Sequence, residues 1–248
     1  MTAKLDKKVW IKQSLPQEHG SWAFVVEPLL ISAIVGGRPY AITAIGFFLA
    51  FLGYRPALIG IKDLAKRKRY PRTMPSFWIG GILLAAGWLI MAAVLNLAIM
   101  GSLIVMGSVF MLIDAKAEKR SVLREGFGSL LAVPAAVVAA PYAWPILVVR
   151  PIVSILSVRG LIARWEDSKI CRWIGVGLGL CLVPLAYFLL GGLDWRFAAY
   201  SACFLRACYS ALVAGRPVKA VHIGIAEMVV SVLIVSGWLL DISTVHGR

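Results

Sequence analysis

Apolar residues occur along this chain in long runs that are separated by short polar segments. A helix needs about 20 mostly apolar residues to cross the hydrocarbon core of a bilayer, and several runs approach that length. The runs occupy residues 21–36, 40–60, 77–96, 98–114, 126–142, 144–159, 172–191, 196–214 and 219–240. The pattern predicts an all-α, polytopic integral membrane helix bundle of about nine transmembrane helices. Within 126–159, Pro134, Pro141, Pro145 and Pro151 predict kinks or a re-entrant segment.

The runs predict a single transmembrane helical domain over residues 21–240, followed by a short tail, 241–248. The preceding segment, residues 1–20, is polar and lysine-rich, without the apolar core of a cleavable signal peptide. We therefore expect residues 1–20 to stay in the cytoplasm and the first helix to act as an uncleaved anchor.

Composition supports the membrane class and explains the charge. The chain is 60% hydrophobic and 15% charged, whereas soluble domains average about 45–50% and 25%. Of the basic residues outside the helices, only Arg38, Arg196 and Arg248 fall in segments predicted to lie outside the cell. The net charge of +14 is thus explained by the positive-inside rule and contact with anionic lipids, without a nucleic-acid partner. The four cysteines lack metal-ligand spacing and are expected to be packing residues.

Five ionisable residues fall inside predicted helices, where each costs about 2.5–3.5 kcal/mol: Glu27, Arg55, Arg150, Arg206 and Glu227. All except Arg150 lie about 7 to 12 Å from the inner helix ends at 1.5 Å per residue. We expect Glu27 and Glu227 to face Arg55 and Arg206 in a polar cavity open to the cytoplasm. The alternative is two buried ion pairs that lock helices together. Arg150 is expected nearer the outer face, where it would snorkel to the interface.

Several short motifs resemble those of the YwiC-like bacterial membrane proteins. The opening motif runs from Pro16 to Trp22 as Pro-Gln-Glu-His-Gly-Ser-Trp and is followed by Glu27-Pro28. The later matches are Arg55-Pro56, Arg120-Ser121 with Glu125-Gly126, Ser157-Val158-Arg159, Arg206-Ala207 and Ile223-Gly224-Ile225-Ala226-Glu227. The resemblance covers nearly the whole chain. It implies a multi-pass protein of the bacterial inner (cytoplasmic) membrane and names no activity.

The predicted architecture is also similar to that of the UbiA-type intramembrane prenyltransferases. In that superfamily, cytoplasmic loops two–three and six–seven carry Asp-rich motifs that hold a magnesium diphosphate. The corresponding loops here offer Asp63 among basic residues, and Glu166-Asp167 behind Arg159 and Arg164. The paired Asp motifs are absent, so the cofactor stays unknown, with magnesium as one option and no metal ligand assigned.

The resulting hypothesis is a UbiA-like, prenyltransferase-like enzyme or binder of an amphiphile with an anionic head, such as a prenyl diphosphate or quinone precursor. Proton transfer is assigned to the candidate catalytic residues Glu27, Glu227, His19 and His222. Substrate binding is assigned to Arg55, Arg120, Arg159, Arg206, Glu18, Glu125 and Trp22. Membrane lipids and an isoprenoid or quinone-type ligand are the expected partners, and the oligomeric state stays open.

Two other functions fit the same residues. One is a proton-coupled small-solute transporter, although the halves of the chain show no matching broken helices. The other is a non-catalytic accessory factor for a respiratory membrane complex, in which the intramembrane charges would be structural.

Overall fold

The computed structural model describes residues 19–65, 67, 70–116, 130, 132–161, 168–213 and 218–246. All regular structure in these residues is helical, which confirms the all-α prediction. The elements are α1 (His19–Ala65), α2 (Thr73–Ala92), α3 (Leu97–Lys116), α4 (Val133–Ala139), a 3₁₀ turn (Pro141–Ala143), α5 (Trp144–Leu161), α6 (Ser168–Leu190), α7 (Trp195–Leu212) and α8 (Ala220–His246).

Helix α1 folds back on itself at Gly37, whose φ of 68° and ψ of −155° are not helical. Glycine adopts this positive φ without the strain that a side chain would add. Across the fold, the Trp22 ring lies 5.4 Å from that of Phe51, and Leu29 packs in one cluster with Ala44. The predicted runs 21–36 and 40–60 therefore form two antiparallel arms.

Among the described residues, five helical stretches are long and apolar enough to cross a membrane, and the first of them is the folded-back pair of arms in α1. They are Trp22–Ala65, Thr73–Ala92, Pro141–Leu161, Ser168–Leu190 and Val221–Ile242. A shorter apolar helix covers Ile99–Leu112. Large apolar side chains on these helices are exposed, including Leu89, Phe188 and Val232. The chain is therefore a membrane protein, while the number of nine spans and the cytoplasmic N-terminus stay predictions.

Several predicted helix boundaries differ from the structure, and the run 77–96, for example, forms the helix Thr73–Ala92. Of the run 126–142, residues 126–129 lie outside the described part, and α4 ends before Ala140, whose φ of −132° and ψ of 69° break the helix. The next residue, Pro141, has no N–H with which to continue it. At the other end, α8 continues past residue 240 to His246, where Asp241 pairs with Arg196 at 3.0 Å.

Close helix contacts depend on glycines and small side chains. The second arm of α1 packs on α2, and a Cβ atom added to Gly80 would lie 2.2 Å from the Ala57 backbone nitrogen. Small residues allow this approach between membrane helices.

The main apolar core lies among α1, α5, α6, α7 and α8 and includes Ile31, Ile146, Leu182, Tyr200 and Trp238. This core surrounds the charged residues described next.

Candidate functional site

Four charged side chains from four different helices meet inside the core. They are Glu27 of α1, Arg150 of α5, Arg206 of α7 and Glu227 of α8, and we call them the buried charge network. Glu227 is 0% exposed, Arg150 1% and Glu27 6%, and the Arg206 side chain is 9% exposed. The two carboxylates balance the two guanidinium groups, so the network as a whole is neutral when all four are ionised.

Arg150 connects the two carboxylates of the network. Its Nη2 lies 2.9 Å from Glu27 Oε2, and its Nη1 lies 3.3 Å from Glu227 Oε2. The other oxygen of Glu227, Oε1, lies 2.7 Å from Arg206 Nε. That last contact is an ion pair whose angle is not that of a hydrogen bond, and its short distance still gives a strong Coulombic attraction.

Three buried serines, each one helical turn after a charged member, complete the network. Ser231 donates to Glu27 Oε2 at 2.5 Å and accepts from Arg150 Nη2 at 3.0 Å. Arg150 Nη1 also donates to Ser154, and Arg206 Nη1 donates to Ser210. Spacing of four residues puts each serine on the same helix face as its charged neighbour.

A small cavity adjoins the network on the side of α4. Its lining consists of Phe24, Glu27, Pro28, Val133, Leu147, Arg150 and Pro151. It has room for about one water molecule. The Phe24 ring also lies 5.6 Å from the Arg150 guanidinium carbon, which gives the buried cation a favourable aromatic face.

The structure brings together three of the predicted site residues, namely Glu27, Arg206 and Glu227. The expected pairing of Glu227 with Arg206 is confirmed. Glu27, however, pairs with Arg150 instead of Arg55. The prediction that Arg150 snorkels to the outer interface is wrong, because its guanidinium is directed to Ser154, one turn further into the bundle.

Other predicted site residues lie away from the network. Arg55 is half-buried in the second arm of α1 and has interactions of its own. Arg159 is buried near the end of α5, about 14 Å along the helix from Arg150. His222 is exposed on the first turn of α8, and Trp22 packs edge-on against Phe51.

The remaining predicted residues fall outside what the structure describes. Glu18, Arg120 and Glu125 are not among the described residues, and of His19 only the helical backbone is described. The catalytic and substrate-binding roles assigned to all these residues stay predictions. In the described part of the chain, no group of three or more His, Cys, Asp or Glu side chains is placed to hold a metal ion.

Sequence reasoning missed Arg150 as the connecting member, and it missed the three serines. The signal that could have found them is a repeated spacing, in which serine follows a charged intramembrane residue by four positions. It occurs as Arg150 with Ser154, Arg206 with Ser210, and Glu227 with Ser231.

The apolar helices and the buried charge network define a multi-pass α-helical membrane protein with an ionic core. The family model of the YwiC-like protein matches residues 15–144, slightly more than half of the chain. The chain therefore belongs to the YwiC-like family. The match includes Glu27 and ends before Arg150, so the other three network members lie beyond it.

No curated protein and no solved structure matches the chain. The architectural similarity to UbiA-type prenyltransferases gains no support from these comparisons.

Proposed function

We propose that this protein is a proton-coupled transporter of a small anionic solute in a bacterial inner membrane. The observation that carries the proposal is the charge-balanced network of Glu27, Arg150, Arg206 and Glu227, buried across four helices. Apolar side chains usually stabilise a fold as well as buried ion pairs do. Ionisable residues inside membrane helices commonly mark proton or substrate pathways, and the network has the composition that such a pathway needs.

Charge balance explains how the network would couple a proton to an anion. When one carboxylate takes a proton, the network changes from neutral to a net charge of +1. An uncompensated cation is costly in the low-dielectric interior, and a monoanion bound to a guanidinium would remove that cost. Arginine binds planar anions through two parallel hydrogen bonds. Proton and anion would therefore enter together, and the network would close again after both had left.

The position of the network suits a conformational switch. At 1.5 Å per residue, Glu27, Arg206 and Glu227 lie about 9 to 12 Å from the same end of the bundle. Each member sits on a different helix, so opening one ion pair loosens the contact between two helices. Proline follows the charged residue in two of these helices, as Glu27-Pro28 and Arg150-Pro151. Such interruptions are common at transporter binding sites near the membrane midplane.

A prenyl or quinone binder is less well supported. The cavity beside the network has room for about one water molecule, and both arginines already face carboxylates. A cavity of this size does not hold an isoprenoid tail.

The test is proton flux in liposomes that contain the purified full-length chain. A pH-sensitive dye inside the liposomes reports proton entry after addition of a panel of small anions, including inorganic phosphate and short mono- and dicarboxylates. We expect at least one anion to stimulate proton entry, and Glu27→Gln to abolish that stimulation. Cys181→Ser, at an exposed position on α6, is the matched control and should transport like the unmodified chain.

Two results would overturn the proposal. One is folded, correctly inserted protein that gives no proton flux with any member of the panel, which would favour the accessory-factor function. The other is Glu27→Gln transport that stays fully proton-coupled, which would remove the network from the coupling mechanism.

A further inference from the structure

The two carboxylates of the network are held differently. Glu227 has a guanidinium at each oxygen, with Arg206 2.7 Å from Oε1 and Arg150 3.3 Å from Oε2. Glu27 has one arginine, and both of its hydrogen bonds, from Arg150 and Ser231, go to Oε2. Glu227 therefore has two cationic partners, whereas Glu27 has one.

Glu27 lines the cavity, and its hydrogen bonds from the described residues go to one of its two oxygens. Arg150 and Ser231 both donate to Oε2 and not to Oε1. A proton that binds Oε1 therefore leaves the contacts of Oε2 intact.

The cavity itself has the polar groups that a bound water requires. Pro28 and Pro151 have no N–H, so the carbonyls of Phe24 and Leu147, four residues earlier, lose their helical donors. All four of these residues line the cavity with Arg150. Two carbonyl acceptors and the Glu27 carboxyl, around a space for about one water, fall within the two to four partners of an ordered internal water.

We infer that Glu27 is the proton-loading carboxyl of this protein and exchanges its proton with a water molecule bound in this cavity. The proton arrives as hydronium. An O–H bond forms at Glu27 Oε1, the hydronium O–H bond breaks, and neutral water remains. Arg150 then keeps Glu227 as its counter-charge and loses Glu27. This inference rests on the proposed function, for which it identifies the group that accepts the proton.

Charged and titratable groups face Glu27 from three packed helices. They are Arg150 of α5, Tyr200 and Cys203 of α7, and Glu227 of α8. The lining residue from α4, Val133, carries no charge. The electrostatic environment of Glu27 is therefore set by its burial, by Arg150 and by the second carboxylate.

Infrared difference spectroscopy of the full-length chain in liposomes tests this assignment without any solute or transport. A pH titration in D₂O should reveal the C=O stretch of one protonated carboxyl inside the membrane. We expect Glu27→Gln to remove this band. Glu227→Gln should retain it, because the Glu27 carboxyl and its cavity are unchanged in that variant.

A matched pair of valine variants tests the cavity water. Val133→Leu adds a methylene to the cavity lining, whereas Val137→Leu makes the same change one turn along α4, outside the lining. The first should displace the water and shift the frequency of the Glu27 C=O band, and the second should leave that frequency unchanged. The same shift in both variants would overturn the water site.

The assignment fails if the band survives in Glu27→Gln, or if no intramembrane carboxyl titrates in the unmodified chain. These results differ from a failure of the proposed function. A Glu27 band with the expected behaviour, together with no anion-driven flux, would retain the proton site and exclude the transporter.

Discussion

Removal of the Arg150 cation should destabilise the fold, and neutralising Glu27 in the same chain should restore part of the loss. Arg150 alone contacts both carboxylates, with Nη–Oε distances of 2.9 and 3.3 Å. The informative change is Arg150→Met, which replaces the guanidinium by an unbranched apolar side chain. Glu27→Gln, which removes one carboxylate with little change in shape, completes a double-mutant cycle.

The magnitude follows from the charges that each variant leaves behind. Arg150→Met leaves two buried carboxylates with one guanidinium, a net charge of −1, and loss of one partner from a buried pair costs about 3–5 kcal/mol. Glu27→Gln leaves a net charge of +1 and should also destabilise. The double variant is neutral again and keeps the 2.7 Å pair between Arg206 and Glu227. We therefore expect a favourable coupling energy of about 2–3 kcal/mol, near the upper end for residues in direct contact.

The assay is the free energy of unfolding in mixed micelles titrated with a denaturing detergent, followed by circular dichroism. A control cycle pairs Arg150→Met with Cys181→Ser, at an exposed position on a helix outside the network. Its two effects should add to within about 0.5 kcal/mol. If the effects of Arg150→Met and Glu27→Gln on the free energy of unfolding also added to within about 0.5 kcal/mol, the reasoning would be refuted. Such a result would mean that the two charges do not compensate each other.

Two further predictions concern packing and helix capping. Gly80→Ala should lower the free energy of unfolding by about 1–3 kcal/mol, because the new Cβ would lie 2.2 Å from the Ala57 nitrogen. Gly81→Ala, with open space around its Cβ, should leave the free energy of unfolding unchanged or raise it by up to about 1 kcal/mol. If Gly80→Ala and Gly81→Ala changed the free energy of unfolding equally, the close contact at Gly80 would be contradicted. Asp194→Ala should cost about 1 kcal/mol, since its carboxylate accepts from the Phe197 N–H at 2.7 Å and caps α7. Asp194→Asn should retain most of the stability, and loss equal to that of alanine would assign the effect to the ion pair with Arg196.

Much of the fold could be predicted from hydropathy, because the length of an apolar run is set by the thickness of the bilayer. The break between runs 21–36 and 40–60 corresponds to the turn at Gly37. The runs 172–191 and 196–214 correspond closely to α6 and α7. Hydropathy predicted a helix boundary wrongly where an apolar run contains a proline. The described part of 126–142 is apolar, yet its helix ends before Ala140, because an apolar average does not register a proline.

The candidate site was harder to predict, because the position of a residue along its helix gives depth but not direction. Depth suggested that Arg55 and Arg206 would meet the two glutamates, and it placed Arg150 too far out. Which helices are neighbours, and which face each turns inward, depends on packing across the whole bundle. An arginine side chain is also long enough to act a full turn from its own Cα, as the bond from Arg150 to Ser154 shows.

The buried charge network differs from a purely structural lock in how completely its polar atoms are satisfied. A lock is most stable when every buried donor and acceptor is paired, since each unpaired group costs about 1–3 kcal/mol. Glu227 has a guanidinium at each oxygen. Its contact with Arg206, however, is an ion pair at 2.7 Å that leaves Glu227 Oε1 and Arg206 Nε without a hydrogen bond among the described residues. Glu27 is held by one arginine, lines the small cavity and lies beside two proline-interrupted helices. A weakly held carboxyl beside a cavity is expected where a proton must enter and leave. This asymmetry favours a switch at Glu27, anchored by the two arginines at Glu227.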